Sequence, residues 1–415
     1  MTNPMRRTVP AVVAGALGMG AVAAWANQPV AQDQSSPAVT AAVRDASSSS
    51  QFLAAGGGSA GYDSKKGLYI EQGDFSLGIH PGMQFRGVLN YGKDRKNGDG
   101  SDIKTGFEVT RARLEMQGSA FTKDLEYYIQ IAADETGGAS LLDAVACYRI
   151  ASEMKVFAGQ FKDLVTHEGL VNWSETVGVA RSLANQLLGT ADGIAGRVQG
   201  VGISYESGQL RAMVALTDGV ASGNTTFVDG AANWGLSGRV EMMVTGKSWD
   251  EYNTMTARGT KGDLLVVGGG ASFSQGDNFN GLAFAIDGQF EMQNLSLYGA
   301  FLGRWIDPRN VAGDDSTFDW GIVAQAAFAL ADNLEVFGRF DLINFDSEQI
   351  NGEDTTYEIV GGINYYLSKV GNGAKVSVDV AWLPNGCPTA VPYLNILGGS
   401  DEAEIVVRTQ LQLRP

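Results

Sequence analysis

The residues of this chain whose type and spacing could do chemistry are cations at alternate positions in apolar–polar runs. Arg86, Arg111, Arg113, Arg239, Arg304, Arg339 and Arg408 fall on the polar faces of such runs. Lys162 and Arg181 border or sit within the one long stretch where the alternation stops. A guanidinium is planar and always charged, and it offers a fork of donors to an anion's oxygens. Several of them spaced along one path would make successive weak sites that an anion can leave. The same faces carry Glu115, Glu126, Glu241, Glu291, Asp341, Glu358 and Asp379. Arginine beside an acid on a neighbouring strand also makes a wall network that stiffens a sheet and touches no ion. Both readings stay open for each arginine, and the candidates for anion contact are Arg86, Arg111, Arg113, Lys162 and Arg181.

Other chemistry finds little material. His80 and His167 are the only imidazoles, and no Ser–His–acid spacing accompanies them. Cys147 and Cys387 form neither a disulfide framework nor a zinc spacing. Cys147, in the run LLDAVACY, reads as a buried or lipid-facing thiol. Gly268-Gly269-Gly270 lies inside a strand pattern with no following helix or lysine, so it is read as a place of close strand packing and not as a phosphate loop. No catalytic residue, metal site or cofactor is therefore assigned. The formal charge of -16, from 30 basic and 46 acidic residues, excludes a nucleic-acid partner, which needs a basic face. At 44% hydrophobic the chain is too apolar for disorder, and 55 glycines with only 18% charged residues are odd for a soluble enzyme.

The elements that must position the cations are strands. From about residue 73 the period is two. Leu295, Leu297, Phe301 and Trp305 alternate with Ser296, Tyr298, Leu302 and Arg304. Val376, Val378, Val380 and Trp382 alternate with Lys375, Ser377, Asp379 and Ala381, and Ile405, Val407, Leu411 and Leu413 stand opposite Arg408, Gln410 and Gln412. The runs are about 9 to 13 residues long, enough for a tilted strand to cross hydrocarbon. Short turns such as Ala331-Asp332-Asn333 and Glu206-Ser207-Gly208 alternate with long polar stretches such as Asp94 to Asp102, Asp307 to Ser316, Ser347 to Thr355 and Pro384 to Glu402. The expected fold is all-β: a transmembrane antiparallel β-barrel of about 16 strands, closed so that no edge is left unpaired in lipid. A soluble β-sandwich or β-helix would show the same alternation with shorter strands. Tyr91, Trp305, Trp320, Tyr365 and Tyr366 suit interfacial girdles.

Residues 163–196 lose the two-residue period, and Val177 to Leu188 has weakly helical character. An interruption of this length inside a compact domain is usually functional or disordered. It is expected to fold inward as a constriction; the alternative is a loop lying outside the barrel. Met1 to Ala26 reads as a secretory signal peptide, with Arg6 and Arg7 before an apolar stretch and Ala24-Trp25-Ala26 as the cleavage site. Residues 27–66, rich in Ser, Ala, Gly and Gln, read as a flexible linker, leaving 67–415 as the barrel. No later run of 18 apolar residues suggests a membrane helix.

Several segments resemble the phosphate-selective porin O and P family. They are Gly73-Asp74-Phe75-Ser76-Leu77 leading into Met83-Gln84-Phe85-Arg86, Phe107 to Leu114 (FEVTRARL), Ala158-Gly159-Gln160-Phe161-Lys162, Ala180-Arg181-Ser182-Leu183, and Gly200 to Tyr205 (GVGISY). Their order and spacing carry the resemblance from about Gly73 to the C-terminus. It implies a 16-stranded trimeric barrel that conducts anions, with inward arginines and lysines at the constriction. The chain departs from the family pattern in three places. Thr110-Arg111 stands where paired arginines are common, Ala180 where an acid often precedes the arginine, and Leu413-Arg414-Pro415 where an aromatic residue usually ends the chain. The expected protein is a passive outer-membrane porin for small ions or solutes with a preference for anions such as phosphate, and not an enzyme. Its partners would be outer-membrane lipid, small inorganic anions or solutes, and two further copies in a homotrimer. The rival function is a secreted or outer-membrane β-protein acting as an adhesin or glycan-binding module.

Overall fold

The computed structural model describes residues 57–63, 65–92, 102–133, 138–189, 196–219, 232–260, 262–309, 315–346, 354–369, 371–399 and 401–415. The expected signal peptide, the first part of the expected linker, residues 190–195 and most of the stretches Asp94 to Asp102 and Ser347 to Thr355 lie outside them.

A hairpin, β1 (Ser59–Asp63) and β2 (Gly67–Gln72), comes first, so the last part of the expected linker is strand. The long strands follow: β3 (Phe75–Gly92), β4 (Ile103–Ala120), β5 (Thr122–Ala133), β6 (Ala139–Ala151) and β7 (Met154–Lys162). Two short helices, α1 (His167–Leu170) and α2 (Leu183–Leu188), separate β7 from β8 (Arg197–Glu206), β9 (Leu210–Thr217) and β10 (Ala232–Thr245). After α3 (Trp249–Tyr252) come β11 (Leu264–Gly276), β12 (Phe279–Met292), β13 (Leu295–Pro308), β14 (Thr317–Ala331) and β15 (Leu334–Asn344). The last strands are β16 (Thr355–Tyr366), β17 (Ala374–Leu383) and β18 (Glu404–Leu413). Each strand from β3 to β18 pairs antiparallel with the next, and β18 pairs with β3 from Glu404↔Gly92 to Leu413↔Met83. Sixteen strands thus close on themselves, and the β1–β2 hairpin lies along the first residues of β3 beyond the end of β18.

The alternation sorts residues as lipid outside and polar groups inside would require. Phe107, Ile286, Val378, Val380 and Trp382 are outward and exposed, whereas Lys375, Ser377, Asp379, Arg408 and Gln410 are inward and buried. The soluble sandwich and β-helix are thus excluded, because the apolar face is the outer one. Tyr91 and Tyr365 face outward as girdle residues would, but Tyr366 turns inward and donates its hydroxyl to Glu335 at 2.7 Å. One irregularity changes the parity. Gln84 pairs with Arg111 and Phe85 with Val109, so Thr110 is an extra residue in β4. This bulge leaves Val109 exposed and Thr110 buried.

The barrel is not hollow throughout. The segment after β7 is folded inside, with Val165, Val177, Leu183, Ala184 and Leu188 fully or almost fully buried against inward residues of β12 to β16. The expected helix is confined to Leu183–Leu188, capped by Ser182, whose hydroxyl accepts the amide of Asn185. Two further segments also enter the lumen. The stretch between β17 and β18, at the long-loop end, buries Cys387, Leu394 and Ile396, and the one between β10 and β11, at the short-turn end, buries Tyr252, Met255 and Ala257.

Candidate functional site

A chain folded inside a lumen exposes carbonyls that no ladder satisfies. Inward cations of the wall satisfy them here. Arg239 Nη1 donates to the Val165 carbonyl at 3.0 Å, Arg339 Nη1 to Ala180 at 2.9 Å and Arg304 Nη1 to Leu187 at 2.9 Å. Lys375 Nζ donates to Thr176 at 2.7 Å. Arg408 Nη1 reaches the Leu394 carbonyl at 3.0 Å in the segment before β18. Each of these arginines also has an acid: Asp287 and Glu241 for Arg239, Asp341 and Glu358 for Arg339, Asp319 for Arg304, and Asp379 for Arg408. On this side of the barrel the wall-network reading of the arginines holds, with the addition that the network grips the inserted loops.

Arg86 belongs to that network. It is 0% exposed, and its nitrogens reach Gln410, the Tyr393 and Val179 carbonyls and Asn395, with Glu108 at 3.6 Å. A group closed off in this way braces two loops and does not face a path, which corrects its expectation as an anion contact.

The other four candidates come together elsewhere. Arg113, Lys162 and Arg181, with Arg197 at the start of β8, line a narrow space of about 40 Å³. Arg111 lies beside them, and the five cations are close enough to repel one another. Lys162 Nζ donates to the Leu170 and Val171 carbonyls at 2.9 and 3.0 Å, and Arg181 to the carbonyls of Glu168 and Val171 at 2.8 and 2.9 Å. These bonds fix the side chains while leaving them half-buried at the narrow. Arg111 makes one hydrogen bond, to Gln84. Arg113 makes no hydrogen bond or ion pair among the described residues; its guanidinium lies 5.9 Å from the Trp173 ring, and its Nε has no partner. Four carboxylates stand nearby: Glu115 acts on Arg113, Glu168 acts on Arg181, and Asp143 and Asp163 complete the set. Asp143 takes both Nε and Nη2 of Arg197 at 3.0 Å, and Asp163 accepts the Ser237 hydroxyl and the Leu164 amide.

The structure brings together Arg111 and Arg113, expected from parity, and Lys162 and Arg181, expected from the break in alternation. Arg197, which lines the same space from the far end of that break, is not among the expected residues. Toward the short-turn end the narrow opens into a chamber of about 580 Å³, and Lys162 lines both spaces. Cys147 lines this chamber and does not face lipid.

A closed sixteen-strand barrel, apolar outside and narrowed within by the segment after its fifth strand, is an outer-membrane channel of the porin type. The chain belongs to the phosphate-selective porin O and P family, whose model matches residues 82–383. Its place is the bacterial outer membrane. Solved structures agree on the fold. The anion-selective porin from Comamonas acidovorans has a TM-score of 0.58 at 12% identity, covering 82% of this chain and 100% of that one. OmpT of Vibrio cholerae, an outer-membrane protein, gives 0.56 at 10% identity over 83% and 99%. The outer-membrane channel DcaP of Acinetobacter baumannii gives 0.52 at 12% over 86% and 100%. No match is found among curated proteins.

Proposed function

We propose that this porin passes small anions, phosphate among them, by electrostatic filtering at the narrow formed by Arg111, Arg113, Lys162, Arg181 and Arg197. The observation that carries the reading is Arg113, a guanidinium with no acid bound to it in the narrow space it shares with Lys162, Arg181 and Arg197. Five cations stand among four carboxylates there, Glu115, Asp143, Asp163 and Glu168, and each of the four is already hydrogen-bonded. The chain's net charge of -16 does not oppose this, because a local field at a constriction governs what passes. Transport is passive, with no bond made or broken, and the working assembly is a homotrimer.

Reversal potentials across planar bilayers in a KCl gradient test the proposal. The wild-type channel is expected to favour chloride, and added phosphate to reduce the chloride current. Arg113→Ala should lower the anion-to-cation ratio about threefold, as loss of roughly 0.7 kcal/mol of attraction at one charge implies. A cation-selective wild-type channel would overturn the reading.

A further inference from the structure

The chamber beside the narrow has a feature that filtering of inorganic ions does not use. One part of its lining is apolar: Val145, Leu170 and Met213 are partly exposed and rest on Phe157, Phe161 and Leu164. The two phenylalanines are fixed edge to face, 5.1 Å between centroids at 86°. A water-filled path for chloride or phosphate gains nothing from wetted apolar surface, which costs free energy until something covers it. The chamber's carboxylates are engaged. Glu115 receives Trp173 and Arg414, Asp143 receives Arg197, Glu241 receives Arg239, and Glu175 receives Asn372. Lys162, lining both spaces, sets a cation where the apolar lining meets the narrow.

We infer that the chamber binds organic anions with an apolar body, of the aromatic carboxylate class, with the charged head at Lys162 and the neighbouring arginines and the body against Val145, Leu170 and Met213. The inference rests on the anion reading above and names its solute class. Size fits, since a single-ring carboxylate occupies a small part of 580 Å³ and needs only one face covered.

The test compares benzoate with gluconate, a polar monocarboxylate of comparable length, as inhibitors of chloride current through the full protein in planar bilayers. Benzoate is expected to half-inhibit at about tenfold lower concentration, the 1.4 kcal/mol that covering a few tens of square ångströms of apolar surface supplies. The pair Val145→Thr with Met213→Gln should remove that advantage while leaving the KCl reversal potential unchanged. If the pair fails to give heat-shifted gel mobility, Met213→Gln alone is read the same way. Equal inhibition by the two anions in the wild type overturns the inference, as does an advantage for benzoate that survives the substitutions. The anion reading is judged separately: anion selectivity in KCl with no benzoate advantage sinks only the solute class, and cation selectivity sinks the filter.

Discussion

Arg339 holds the carbonyl of Ala180 at 2.9 Å while its other nitrogens rest on Asp341 and Glu358, each at 2.8 Å. One side chain thus ties a β15 wall position to the middle of the inserted loop, 159 residues earlier in the chain. The pair of acids keeps the guanidinium in place, and the guanidinium makes it possible to bury both acids.

Arg339→Leu should therefore be costly beyond the lost loop contact, because Asp341 and Glu358 stay buried without a cation. A loss of about 3–5 kcal/mol is expected, read as a lower thermal midpoint in detergent. Adding Asp341→Asn and Glu358→Gln should restore a large part of it. A single substitution with unchanged midpoint would show that the network does not carry load.

Gly270 lies where the loop backbone meets the wall. A Cβ there would stand 2.2 Å from the Leu164 carbonyl oxygen and 2.5 Å from that of Val165. Gly270→Val must push the loop away from β11, at a cost of about 1–3 kcal/mol or more. Single-channel recording should show larger and noisier currents, and weaker ion selectivity, since Lys162 and Arg181 are placed by the same loop.

His167 stacks on Tyr252 with centroids 3.7 Å apart, and its Nε2 lies 3.0 Å from the Gln289 side-chain oxygen. Burial first, then the nearby Arg239 charge, holds its pKa well below the ordinary 6.5. The seated loop keeps the imidazole neutral, whereas a released loop lets it take a proton. The stabilisation is therefore complete above about pH 6.5 and declines as the pH falls below that value toward the lowered pKa. Between pH 8 and 5 the wild-type thermal midpoint should drop further than that of His167→Gln. Parallel curves for the two proteins would contradict this.

The two cysteines should behave differently toward a small, water-soluble methanethiosulfonate. Cys147 lines the chamber, whereas Cys387 is 1% exposed and burial pushes its thiol up to about 12. One thiol per folded chain is expected to react, with a fall in current that Cys147→Ser abolishes. Mass spectrometry showing modification at Cys387 first would place the lumen elsewhere.

The barrel was legible in the sequence because a strand in lipid has one apolar face, and runs such as Val376, Val378, Val380 and Trp382 display it directly. The constriction was legible as a loss of that period after Lys162. Two other insertions were not. The apolar residues of the stretches holding Trp249 to Ala257 and Cys387 to Ile396 follow no regular spacing, and the second lies within an expected long polar loop, so nothing marks either as entering the barrel until the lumen is seen to receive it. Arg86 shows the limit of parity. Alternation says that a side chain points inward, but whether it then meets water or a loop carbonyl depends on segments three hundred residues away, such as Tyr393 and Asn395.

The seam between β3 and β18 carries a consequence for assembly. Arg86 on one side and Arg408 on the other both hold the segment Tyr393 to Asn395, and Asn90 reaches both Asn395 and Glu404. A slip of one residue at that junction would turn Arg86 or Arg408 outward. In hydrocarbon a misplaced arginine costs about 2–4 kcal/mol near the midplane. The segment before β18 thus reads the junction: its contacts with both strands exist together only when β3 and β18 are paired in this register.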